Sequence, residues 1–151
     1  MKMALKIVEF PNEILNKKCP DVDFSNFVEY IKTIALLKET VDEVGEQNCL
    51  GLAAPQIGIS QRVFIMFFSN GSKMYAVDPK IINHGKDIVW GIETCLSCLG
   101  DAVNVPRWRI IDVSYVNEQA VLVNRTLRGM DARIFQHELD HLNGLLIVKG
   151  G

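Results

Sequence analysis

The sequence has no long hydrophobic run and no excess of charge of either sign. The longest uninterrupted apolar run, Val63–Phe68, has six residues, whereas a transmembrane helix needs about 20. Lysines interrupt the apolar residues of the opening segment Met1–Lys6, so the sequence predicts no signal peptide and a cytoplasmic protein. The net charge of −2 gives no reason to expect nucleic acid or an anionic membrane as a partner.

Internal repeats, low-complexity tracts and flexible linkers are also missing. Of the 151 residues, 48% are hydrophobic and 23% are charged, which is typical of a globular domain with a substantial core. We therefore expect residues 1–151 to form a single domain and, in the simplest case, a monomer. In a reducing compartment, the four cysteines are expected to be thiols or metal ligands rather than disulfides.

Hydrophobic periodicity predicts two well-separated helices with strands between them. The first helix is Ser25–Val44, capped by Ser25 and ended by Gly45; the second is about Gly129–Leu142, with Gly144 as its C-cap. Asn70-Gly71 predicts a hairpin turn. This arrangement favours an α+β fold. The predicted strands are Ala4–Phe10 (or an extended lead-in), Val63–Phe68, Met74–Val77, Ile110–Val116, Ala120–Val123 and Leu145–Val148.

The second helix contains the most informative motif, His137-Glu138-Leu139-Asp140-His141. Two of the three histidines in the chain stand four residues apart, so both rings can reach one metal ion from the same helix face. Glu138 would then lie beside the open position of the ion, where a carboxylate can transfer a proton. The alternative is a solvated, charged helix face without a metal.

A catalytic metal site of this kind needs a third protein ligand. No glutamate follows Glu138, and Ile147 stands where a longer metallopeptidase pattern has a third histidine. The third ligand must therefore come from upstream. Cys95 and Cys98 form a Cys-x-x-Cys pair, but no second pair completes a zinc ribbon. One of these two cysteines joining the histidines explains more than a redox pair does. The other upstream candidates are Cys19, Cys49, His84 and the carboxylates.

Three segments resemble, in the right order, the motifs of the peptide deformylase family. Leu50–Gln56 resembles the Gly-x-Gly-x-Ala-Ala-x-Gln loop, Glu93–Ser97 resembles Glu-Gly-Cys-Leu-Ser, and Gln136–Leu142 resembles Gln-His-Glu-x-Asp-His-Leu. The intervening lengths also fit, so the resemblance covers nearly the whole chain. The chain resembles short, phage-type or minimal members that lack a C-terminal extension. The implied fold is α+β, with antiparallel sheets around a central helix that carries the HExxH motif.

The resemblance implies that Cys95, His137 and His141 bind one divalent metal ion, with water in the fourth position. The family usually uses Fe²⁺, which Zn²⁺, Ni²⁺ or Co²⁺ can replace. The implied reaction is hydrolysis of the N-formyl group from N-formylmethionyl peptides of newly made proteins, with release of formate. The substrate is then a nascent chain, and weak proximity to the ribosome is expected.

The resemblance also assigns roles to further residues. Glu138 would carry the proton, and the Gln56 side chain and Leu96 N–H would stabilise the oxyanion. Gln56 could instead be a loop amide that bonds to its own backbone. Met130 and Ile134 could equally belong to the core, and a structural role remains open for Arg107. The implied substrate-binding residues are Leu50, Gly51, Glu93, Met130, Ile134 and His137.

Several positions depart from the family pattern. Cys49 replaces the first glycine of the opening motif, Thr94 replaces the glycine beside Cys95, and Ala102 replaces a common arginine. Residues 98–101 differ from the usual apolar-Pro stretch. Two other functions therefore stay open: an HExxH metallopeptidase that acts on unformylated peptides, and a non-catalytic peptide-binding protein that a metal stabilises.

Overall fold

The computed structural model of the protein describes residues 6–147. Within this range, two α-helices and seven β-strands alternate with short 3-10 turns. No helix in this part of the chain is both long and apolar enough to cross a membrane. The elements are α1 (Phe27–Val44), β1 (Gly51–Ala53), β2 (Val63–Phe67), β3 (Lys73–His84), β4 (Ile88–Glu93), β5 (Val103–Trp108), β6 (Ile110–Val116), β7 (Leu122–Arg128) and α2 (Gly129–Leu142).

The strands form two antiparallel sheets. The larger sheet has five strands in the order β1-β2-β3-β6-β7, and β4 and β5 form a separate two-stranded sheet. The motif helix α2 packs against strands of both sheets. The predicted α+β class, with antiparallel sheets and a C-terminal helix, is therefore confirmed.

The larger sheet lies between the two helices, which explains the apolar run in β2. Phe64 belongs to the core cluster on the α2 side, where its ring contacts Phe135 edge-on at 5.2 Å between centroids. Val63 and Ile65 belong to the cluster on the α1 side, together with Leu37. A strand that is buried on both faces has no polar face, so its sequence reads as a continuous apolar run.

The end of α2 is held by residues from distant parts of the chain. The Leu142 carbonyl accepts hydrogen bonds from the Cys19 N–H at 2.8 Å and from the Arg62 guanidinium at 3.2 Å. Arg62 also donates to the Asn143 side chain at 3.0 Å. The last carbonyls of a helix lack partners within the helix, and here a buried arginine helps to satisfy them.

Of the two predictions at the ends of the chain, one alternative of the first holds and the second is wrong. Residues 6–10 form no strand, which leaves the extended lead-in, and the Val8 N–H donates to the Gln56 carbonyl at 2.7 Å. Residues 145–147 form no strand either, because the Leu145 N–H folds back onto the Asp140 carbonyl at 2.9 Å. Ala4, Leu5 and Val148, which belonged to these two predictions, lie outside the described residues.

The predicted helix caps are only partly correct. Gly45 ends α1 with φ +94°, as expected. Ser25 does not cap α1, because it lies in a preceding 3-10 turn, and the helix begins after Asn26. The C-cap of α2 is Asn143, and Gly144 follows it with φ +76°.

The predicted hairpin at residues 70–71 joins β2 and β3, but two strand predictions have wrong bounds. β3 continues to His84, past an irregularity in its pairing after Val77, where Asp78 has φ +53°. The strand predicted at residues 120–123 instead begins at residue 122. Asn117 explains this shift, because its side chain accepts the Val121 N–H at 3.1 Å and holds a turn there.

Candidate active site

Three side chains that can bind a metal meet in the interior. The potential ligand atoms of Cys95, His137 and His141 all lie within 4.8 Å of one another, and all three residues are buried. Helix α2 presents the two imidazoles from successive turns, with ring centroids 5.0 Å apart. Cys95 lies two residues after the end of β4 and brings its sulfur to 3.4 Å from His141 Nε2. The structure therefore brings together the three residues that the sequence proposed as ligands.

Glu93 orients the first histidine. Its Oε1 lies 2.8 Å from His137 Nδ1, which leaves Nε2 of that ring for the cluster. Burial opposes the charge on His137, but hydrogen bonds with Cys95 and Glu93 raise its pKa to about 10. The proton on Nε2 must therefore be released before that nitrogen can bind a metal ion. Burial also works against the charge on Glu93, yet hydrogen bonds from Arg107 and His137 lower its pKa to about 2. Glu93 is therefore a carboxylate at neutral pH.

The partly buried Arg107 and the buried Arg133 hold Glu93 in place. Arg107 donates two hydrogen bonds to it, at 2.9 and 2.8 Å, and a third to Asp140 at 2.6 Å. Arg133 donates to Glu93 Oε2 at 2.6 Å and to the carbonyls of Val105 at 2.9 Å and Val89 at 2.7 Å. These bonds connect α2 with both strands of the smaller sheet and fix the carboxylate that orients His137.

Glu138 lies beside the cluster and is almost fully buried. Within residues 6–147, its Oε1 has no hydrogen-bond partner. Burial raises the pKa of Glu138 to about 7, a value suited to accepting and returning a proton near neutral pH. Gly51 permits this position, because a Cβ there would lie only 2.7 Å from Glu138 Oε2. The opening motif thus needs glycine at residue 51 for the carboxylate to approach β1.

The Gln56 amide bonds to its own loop and also points toward Cys95. Its oxygen accepts the Ala53 N–H at 2.9 Å, which matches the loop-amide alternative. This bond directs the NH₂ group toward the Cys95 sulfur at 3.5 Å and the Ser97 hydroxyl at 3.2 Å. The amide nitrogen is therefore fixed next to the cluster as a potential donor.

A cleft of about 730 Å³ opens beside the cluster. All the predicted substrate-binding residues line it, namely Leu50, Gly51, Glu93, Met130, Ile134 and His137. Leu96 also lines it, as do the three departures from the family pattern, Cys49, Thr94 and Ala102. Met130 is exposed whereas Ile134 is buried and also packs in the core. Burial raises the pKa of the Cys49 thiol to about 12, so Cys49 is a neutral thiol at neutral pH.

The donor set fits one metal ion. A tetrahedral ion with bonds of about 2.0 to 2.3 Å to nitrogen and sulfur separates its ligand atoms by roughly 3.5 Å, and the Cys95–His141 distance agrees with this. One thiolate and two imidazoles also leave one position open, as in catalytic sites. Glu138 follows His137 directly and lines the same cleft, and its Oε1 has no hydrogen-bond partner within residues 6–147, so it is available to a reacting ligand.

The family model described as polypeptide deformylase matches residues 4–150 of the chain. The chain belongs to the polypeptide deformylase family. A peptide deformylase of Thermotoga petrophila is 38% identical over 144 residues, which cover 95% of this chain and 84% of that protein. The predicted family and the predicted enzyme class, a hydrolase that removes N-formyl groups from peptides, are therefore confirmed.

Solved deformylases have the same fold. The class I type b enzyme from Acinetobacter baumannii, in a crystal structure with Met-Ala-Ser bound, superposes with a TM-score of 0.87 at 29% identity and covers 99% of both chains. A probable peptide deformylase from Synechococcus phage S-SSM7 superposes with a TM-score of 0.84 at 30% identity, covering 95% of this chain and 97% of that one. The predicted likeness to phage-type deformylases is thus confirmed.

Three residues near the site were given no role by the sequence. Ser97 accepts the Gln56 amide, Arg133 holds Glu93, and Gly91 leaves room for Arg133, because a Cβ there would lie 2.9 Å from the guanidinium carbon. One signal could have revealed Arg133. It stands four residues before the first motif histidine, so it shares the helix face of that ligand.

Proposed function

We propose that the chain removes the formyl group from N-formylmethionyl peptides of newly made proteins, using one divalent ion held by Cys95, His137 and His141. The single observation that carries this proposal is the buried cluster of these side chains with the unpaired carboxylate oxygen of Glu138 beside it. A mixed thiolate and imidazole set suits Fe²⁺, Zn²⁺, Ni²⁺ or Co²⁺, and the family resemblance favours Fe²⁺. When bound, the ion supplies Lewis acidity that activates a water molecule and polarises the formyl carbonyl.

Glu138 is proposed to accept the proton of the attacking water and to deliver it to the leaving amine. Three observations support this role: its raised pKa, its burial, and the absence of a hydrogen-bond partner for its Oε1 among residues 6–147. Fixed donors stabilise the oxyanion that forms on the formyl oxygen, and one such donor contributes about 3 kcal/mol. The proposed donors are the Gln56 amide, oriented by the Ala53 N–H, and the N–H of Leu96, which lines the cleft next to Cys95.

Apolar side chains in the cleft suit a methionine side chain. Met130, Ile134 and the ring of His137 are proposed to contact it, with Leu50 at the mouth and Gly51 allowing close approach of the peptide backbone. Glu93 is assigned a supporting role, because both of its oxygens already bond to protein groups. The family match over residues 4–150 supports a single catalytic domain. We assign it to the cytoplasm as a monomer, with weak proximity to the ribosome.

Formate release from formyl-Met-Ala-Ser, using protein loaded with Fe²⁺ under anaerobic conditions, tests this function. Glu138→Gln is the matched control, because it keeps the size of the side chain and removes its basic carboxylate. We expect turnover by the unmodified protein and a loss of about 10² to 10⁴-fold in the variant. Metal analysis must give one ion per chain in both proteins.

The competing functions predict other results. A metallopeptidase would cleave unformylated Met-Ala-Ser, releasing methionine. A non-catalytic binding protein would bind the metal and the peptide, and would unfold on chelation without any turnover. Either result, from folded and metal-loaded protein, would contradict the proposal.

A further inference from the structure

The smaller sheet exposes an unusual series of apolar side chains. Ile88, Trp90 and Ile92 alternate along β4, so they share one face, and their exposed fractions are 57%, 62% and 65%. We call these three residues the β4 strip. On the same face of β5, Pro106 lies opposite Trp90. Single exposed apolar residues are common on protein surfaces, but adjoining ones mark interaction sites.

The β4 strip is continuous with the cleft. Ile92 lines the cleft, and the next residue, Glu93, contacts His137. Side chains on one face of a strand are about 6.6 Å apart, so the strip extends roughly 13 Å from Ile92 to Ile88, the length of about four residues of an extended peptide. The mouth of the cleft is apolar as well, because Leu50 and Leu99 are exposed there.

Backbone groups of β4 are already partly engaged. Arg133 donates to the carbonyl oxygens of Val89 at 2.7 Å and Gly91 at 3.5 Å. An extended peptide beside β4 therefore competes with a buried guanidinium for these acceptors. Contacts with the β4 strip must come mainly from side chains, which makes them sensitive to the sequence of the bound peptide.

The proposed substrate must pass over the rim of the cleft. Its reacting formyl group is at the amino terminus and binds at the Cys95, His137 and His141 side chains. All substrate residues beyond the first few must therefore lie outside the cleft. We propose that the β4 strip binds these downstream residues and makes the enzyme favour formylmethionyl chains whose next segment is apolar. This inference rests on the proposed function, and it names the class of chains that the same site processes best.

Three substrates distinguish the contribution of the cleft to kcat/KM from that of the β4 strip. The first is formyl-Met-Ala-Ser. The other two extend it by six residues, which are leucine and valine in one peptide and serine in the other. Both long peptides then end with two further lysines for solubility. We expect kcat/KM for the apolar peptide to exceed that for the serine peptide by about tenfold, less than full burial of one large apolar side chain would give.

Trp90→Thr is the main variant, because it removes the central side chain of the strip while keeping a residue that favours strands. It should abolish the difference between the long peptides and leave the tripeptide rate unchanged. Ile88→Thr should reduce the difference partly. Leu122→Thr is the matched control, since Leu122 is 63% exposed, close to the 62% of Trp90, and lies on strand β7 of the other sheet. It should change none of the rates.

Tryptophan fluorescence gives a second readout that needs no turnover. Trp90 and Trp108 are the two tryptophans of the chain, and Trp108 is already half-buried. Covering Trp90 with the unformylated apolar peptide should shift the emission to shorter wavelength, whereas the serine peptide should not. The shift should be absent in Trp90→Thr and present in Leu122→Thr.

The outcomes distinguish this inference from the proposed function. Turnover of the tripeptide with equal kcat/KM for both long peptides overturns the role of the strip and leaves the deformylase function intact. If the tripeptide is not hydrolysed, the proposed function fails, and the absence of a fluorescence shift would then overturn peptide binding by the strip as well. Self-association that Trp90→Thr removes, measured by sedimentation, would make the strip an interface between copies and overturn the peptide proposal.

Discussion

Replacing Gly91 by alanine should destabilise the protein through Arg133. A Cβ at residue 91 would lie 2.9 Å from the Arg133 Cζ and 3.0 Å from one of its terminal nitrogens. The guanidinium cannot retreat freely, because it bonds to Glu93 at 2.6 Å and to the carbonyls of Val105 and Val89 at 2.9 and 2.7 Å. The added methyl group must therefore lengthen or break at least one of these bonds.

The magnitude follows from the bonds at risk. A hydrogen bond that involves a charged group contributes about 1.5 to 3 kcal/mol, so Gly91→Ala should lower the free energy of unfolding by about 2 to 4 kcal/mol. Arg133→Met should cost about 3 kcal/mol, near the lower limit for breaking a buried ion pair, because Glu93 keeps both bonds from Arg107. In the Arg133→Met background, which lacks the guanidinium, Gly91→Ala should lower the free energy of unfolding by less than about 1 kcal/mol.

Urea unfolding of the unmodified protein, the two single variants and the double variant measures this coupling. All four proteins must be compared under one metal condition, because a bound ion would add to the stability of the folded state. We expect a coupling energy of about 2 kcal/mol between the two substitutions. If the losses of unfolding free energy in the two single variants add up to the loss in the double variant within about 0.5 kcal/mol, Gly91 is not needed to accommodate Arg133.

Two further predictions concern the cleft. Gly51→Ala places a Cβ 2.7 Å from Glu138 Oε2. It should lower kcat/KM for formyl-Met-Ala-Ser by about 10²-fold and leave the thermal midpoint nearly unchanged. A kcat/KM within threefold of that of the unmodified protein would contradict the proposed position of Glu138. Cys49, with a pKa raised from 9.0 to about 12 mainly by burial, should react with iodoacetamide at pH 8 about 10³-fold more slowly than an ordinary thiol and faster as the pH rises. Rapid labelling of the Cys49 peptide at pH 8, detected by mass spectrometry, would contradict the prediction that Cys49 is a buried, neutral thiol.

The strands that the sequence predicted well are β2 and β6 of the larger sheet. β2 was recognisable because both of its faces are buried, which gives an apolar run, and a turn signal follows it. β4 was missed because its outer face is apolar and exposed, so the usual alternation of polar and apolar residues is absent. β3 appeared to end at Val77, because the sequence cannot show that pairing resumes beyond the irregularity at Asp78.

The candidate site was predictable where local spacing decides the geometry. The four-residue spacing of His137 and His141 on a helix fixes their common face, and the motif resemblance added Cys95. The support for Glu93 was not predictable in detail, because Arg133 reaches it only after α2 packs on the smaller sheet. The pairing of Arg133 with Gly91, 42 residues earlier, depends on that packing too.

The position of α2 in the chain has a consequence for biosynthesis. This helix carries two of the three proposed ligands, and its end bonds to Cys19 and Arg62, which are made much earlier. The centre cannot assemble until residue 142 has left the ribosome, so a partly translated copy has no catalytic centre. Activity therefore arises only after the chain has been translated as far as residue 142, and each shorter nascent chain depends on molecules finished before it.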